Sequence, residues 1–108
     1  MNDINNVISR ASTLYIDVLL SIPGTIGEST DDIEALLDEC DRNIKTLKKL
    51  WSVVFNRVYP QFHICVDDLT HDEHKEYNDI INTLTKISHE FHRLGVISQL
   101  ELYSFTEN

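Results

Sequence analysis

Residues 33–58 read IEALLDECDRNIKTLKKLWSVVFNRV. Apolar residues recur at Ile33, Leu37, Cys40, Ile44, Leu47, Trp51, Val54 and Val58, in steps that alternate between four and three. That alternation lines one face of an α-helix, whereas a half-buried strand would repeat every second residue. The seam runs for nearly four heptads, so a helix partner must cover it. The spacing predicts a helix over 31–59, about 43 Å long at about 1.5 Å per residue. Asp31, Asp32 and Glu34 fall in its first turn, where the helix dipole favours anions. It ends at Tyr59, because the residue before Pro60 is pushed out of helical geometry.

On the N-terminal side, Ile4, Val7, Ile8, Ala11, Leu14, Tyr15, Val18, Leu19 and Ile22 follow the same three- and four-residue steps and predict a helix over 3–22. Asn2 or Asp3 supplies its cap, and Pro23-Gly24 stops it. On the other side, Thr70-His71-Asp72-Glu73 is a capping box that opens a third helix over 71–94. Its stripe is Tyr77, Ile80, Leu84, Ile87, Phe91 and Leu94, and Gly95 supplies a left-handed stop. Ser98-Gln99-Leu100-Glu101 repeats the capping pattern and predicts a short helix over 98–105. Residues 60–69 read as an extended connector with no strand partner. The chain therefore reads as one all-α domain over 1–108, an antiparallel bundle of three main helices plus a short C-terminal helix. Matching 4-3 spacing on the second and third helices predicts that they pack on each other, with the first covering the pair and Trp51 anchoring the centre.

The chain has 108 residues and a net charge of −9. Such a charge repels nucleic-acid backbones and anionic membrane surfaces and attracts basic partners. The longest aliphatic run, Val18-Leu19-Leu20, is far short of a membrane span, and the N-terminus lacks the basic start and apolar core of a signal peptide. Two cysteines are too few for a disulfide framework, and a reduced, cytoplasmic setting is expected.

Charge is segregated along the chain. Seven acids and no base lie between Glu28 and Asp41. Six acids and one base, Lys75, lie between Asp67 and Asp79. Between the clusters come Arg42, Lys45, Lys48, Lys49 and Arg57 with no acid. Dipole matching accounts for Asp31, Asp32, Glu34, Asp72 and Glu73. It does not account for Asp38, Glu39 and Asp41, which lie beyond the first turn. The candidate partner-binding acids are thus Asp31, Asp32, Glu34, Asp38, Glu39, Asp41, Asp67, Asp68, Asp72 and Glu76, a surface suited to steering and docking a basic protein. Leu36, Leu50, Val53 and Phe55 widen the apolar face beyond the seam and are candidates for a homodimer seam or a partner groove.

His63, Cys65, His71 and His74 fall within twelve residues and carry zinc-type donors, but without a standard ligand spacing they are a weak metal set. No phosphate loop, H-E-x-x-H or nucleophile elbow is present, and no catalytic residues or cofactor are assigned. The leading expectation is a non-enzymatic acidic protein that masks a basic partner, for example an inhibitor or immunity protein neutralising a toxin. The alternatives are a secretion chaperone or adaptor that takes an amphipathic segment in an apolar groove, and a His/Cys metal-binding protein.

Overall fold

The computed structural model describes residues 3–21, 30–98 and 105. Three α-helices account for most of them: α1 (Ile4–Ser21), α2 (Thr30–Val58) and α3 (His71–Arg93), with one short 3-10 turn over Val66–Asp68. Their bounds match the sequence reading to within about one residue. Ile22, the Pro23-Gly24 stop and most of the expected helix over 98–105 lie outside the described residues. Ser98 and Phe105, which belong to that expected helix, are non-helical.

Local chemistry sets the helix ends. Asp3 Oδ1 accepts the Asn5 N–H at 2.9 Å and caps α1. At the start of α3, Thr70 Oγ1 accepts from the Glu73 N–H at 3.3 Å, and Glu73 Oε1 accepts from the Thr70 N–H at 3.0 Å, completing the capping box. At its end Gly95 adopts φ +77°. Gly95 N–H donates to His92 O and Val96 N–H to Phe91 O, the paired bonds of a Schellman stop that a residue with a Cβ resists.

The long helix α2 is the spine. α1 packs mainly along it, α3 packs along another side, and α1 and α3 touch little. The first helix therefore does not cover the α2–α3 pair evenly. The core includes Val7, Leu14, Ile33, Leu47, Leu84 and Phe91, with Ile97 and Phe105 packing back from the C-terminal segment. Arg10 sits over the Phe105 ring, 5.5 Å from its centroid.

The structure corrects two expectations about the seam. Trp51 is half-buried, and Leu50 is buried in its stead. Leu50 is turned about 100° from Trp51 around the helix and lies on the side of α2 that faces α3, beside Glu73 and Glu76. Leu50 is a core residue and not an interface candidate. In α1, Leu19 is 46% exposed despite its place in the stripe.

The connector is more than a passive link. The chain turns through a cis Tyr59–Pro60 bond. Ile64 is then fully buried, and its carbonyl accepts the Ile4 N–H at 2.9 Å. An isolated antiparallel bridge joins Asp3 to Cys65, so the connector does find a backbone partner, the residue that precedes α1.

Candidate functional site

The sequence-predicted acids fall into two separate patches. α3 begins where α2 ends: Arg57 in the last turn of α2 grips Glu73 with both terminal nitrogens, at 2.8 and 2.6 Å. Asp31, Asp32 and Glu34 of the first cluster sit at the opposite end of α2, and Asp38, Glu39 and Asp41 lie toward the middle of its 29 residues.

Within each patch the acids differ in freedom. In the first, Asp31, Asp32, Glu34 and Asp38 are exposed, and Glu39 is half-buried. Asp41 is also half-buried and pairs with Lys45 at 2.9 Å, a contact that raises the lysine pKa. In the second, Asp68 serves the fold: its Oδ2 accepts from the Cys65 N–H at 2.9 Å and from Gln61 Nε2 at 2.8 Å. Glu73 serves it too. The Arg57 guanidinium and the Thr70 amide hold its carboxyl at about 2, against an ordinary 4.5, in opposition to desolvation. Asp67, Asp72 and Glu76 are exposed. Asp79, the last acid of this cluster, is exposed as well. Glu76 also lines a cleft of about 390 Å³ between α2 and α3, with Lys49, Leu50, Val53, Thr46 and Glu73.

The apolar candidates divide as well. Leu36 is half-buried at the far end, beside Asp32, Glu90, Arg93 and Leu94. Val53 is 49% exposed. Phe55 is half-buried and lies at the centre of a four-ring cluster. Trp51 stacks on it at 4.9 Å, Tyr59 meets it edge-on at 5.6 Å, and Phe62 lies tilted at 5.9 Å. Tyr59 and Phe62 are about two-thirds exposed. Sequence reasoning missed both. The i, i+4, i+8 spacing of Trp51, Phe55 and Tyr59 was the available signal. Phe62 reaches the cluster only because the chain doubles back after Pro60.

The histidine and cysteine set does not assemble. His63 Nδ1 lies 3.3 Å from Asp3 Oδ2, His74 Nδ1 lies 3.1 Å from Asn78 Nδ2, and His71 is exposed at the start of α3. Among the described residues no three His, Cys, Asp or Glu side chains come together as a metal-holding group. Burial, with Asp41 and Glu39 adding to it, pushes the Cys40 thiol up to about 12. Desolvation, with Asp68 and Asp3 next, raises the Cys65 thiol as well. Both sulfurs are held protonated, the unreactive form.

No described helix is long and apolar enough to cross a membrane. Compared with known proteins, the chain matches no protein-family model, no curated protein and no solved structure.

Proposed function

We propose that this chain is a non-enzymatic acidic interaction protein, an antiparallel three-helix bundle that binds and masks a basic protein partner in the cytoplasm, as an inhibitor or immunity protein masks a toxin. The observation that carries the reading is the charge surplus left over after internal pairing. Asp67 in the turn before α3 and Asp72 and Glu76 in its first turns are exposed, whereas the neighbouring Asp68 and Glu73 are spent on the fold. A docking surface of this sign speeds encounter with a cationic site and covers it. The antiparallel arrangement is supported by Arg57 meeting Glu73 at one end of the α2–α3 pair and by Asp32 lying near Arg93 at the other.

The test is capture from source-cell lysate on the immobilised chain, beside a variant carrying Asp67→Lys, Asp72→Lys and Glu76→Lys. The expected result is a basic protein held at low salt, released at high salt, absent from the variant, and less active when the chain is added. A partner that survives high salt and binds the variant equally overturns the reading. It would favour the adaptor alternative, which the exposed rings of Tyr59 and Phe62 support.

A further inference from the structure

We draw no further inference here: the strongest candidate, the aromatic patch of Trp51, Phe55, Tyr59 and Phe62 where α2 runs into the connector, is an unpartnered apolar face, and nothing in the structure shows what covers it.

Discussion

The two ends of the α2–α3 pair are held in different ways. At the connector end the polar contacts span long stretches of sequence. Arg57 reaches Glu73 and the Asp68 carbonyl, Gln61 reaches Asp68, and the Ile4 amide reaches the Ile64 carbonyl. At the far end, among the described residues, Asp32 of α2 acts on Arg93 of α3 electrostatically, and the hydrogen-bonded pairs are shorter in span. Glu90 pairs with Arg93 one turn away, and Ser21 Oγ donates to the Asp17 carbonyl within α1. A shallow cavity of about 320 Å³, lined by Asp32, Ala35, Leu36, Glu90, Arg93 and Leu94, lies there between α2 and α3. A contact within one helix forms whenever the helix forms, so it adds little to tertiary specificity. A contact between a helix end and a connector exists only in the folded chain. Among the described residues, the hydrogen bonds between a helix end and a connector gather at the connector end.

The largest effect that tests this difference comes from Ile64→Ala. Ile64 is fully buried and its backbone holds the start of α1, so urea denaturation is expected to show a loss of about 2–5 kcal/mol. Leu94→Ala at the far end alters a half-buried side chain and is expected to cost clearly less. Equal losses would break the distinction between the ends.

The intermediate effect is a pH dependence. The Glu73 carboxyl is depressed from 4.5 to about 2 in the fold, so its ionised form contributes stability that is present above pH 4.5 and lost as pH falls toward 2. Thermal unfolding followed across that window is expected to fall steeply in the wild type and less steeply in Glu73→Gln. Parallel curves would show that the Arg57–Glu73 pair does not hold this end.

The smallest effect belongs to Glu90→Gln. The Glu90–Arg93 pair is exposed and lies within one helix, and such pairs contribute little. No measurable change in Tm is expected. A clear drop would mean that the far end too depends on its charges.

Much of this molecule was legible in the sequence. The 4-3 spacing of Ile33 to Leu47, the capping box at Thr70 and the glycine stop at Gly95 are local signals, encoded within a few residues and realised in place. The acidic clusters were legible as clusters. That Glu76 of the second shares a cleft with Thr46 of α2 was not, because it depends on where α3 docks. The division into spent and free acids was not legible either: Asp68 and Asp67 are neighbours in sequence, and only the fold gives one of them a backbone amide and Gln61 as donors.

By itself the sequence determined the helices, their caps and the sign and grouping of the charges, because each of these follows from periodicity, local hydrogen bonding and composition over short spans. Tertiary structure alone decided that Leu50 and not Trp51 enters the core, that Ile64 closes one end, and that Phe55, Tyr59 and Phe62 gather into an exposed cluster. The first follows from where α3 docks, because Leu50 lies on the side of α2 that faces it. The other two follow from the path of a connector with no periodicity of its own, whose course is set by the helices it joins.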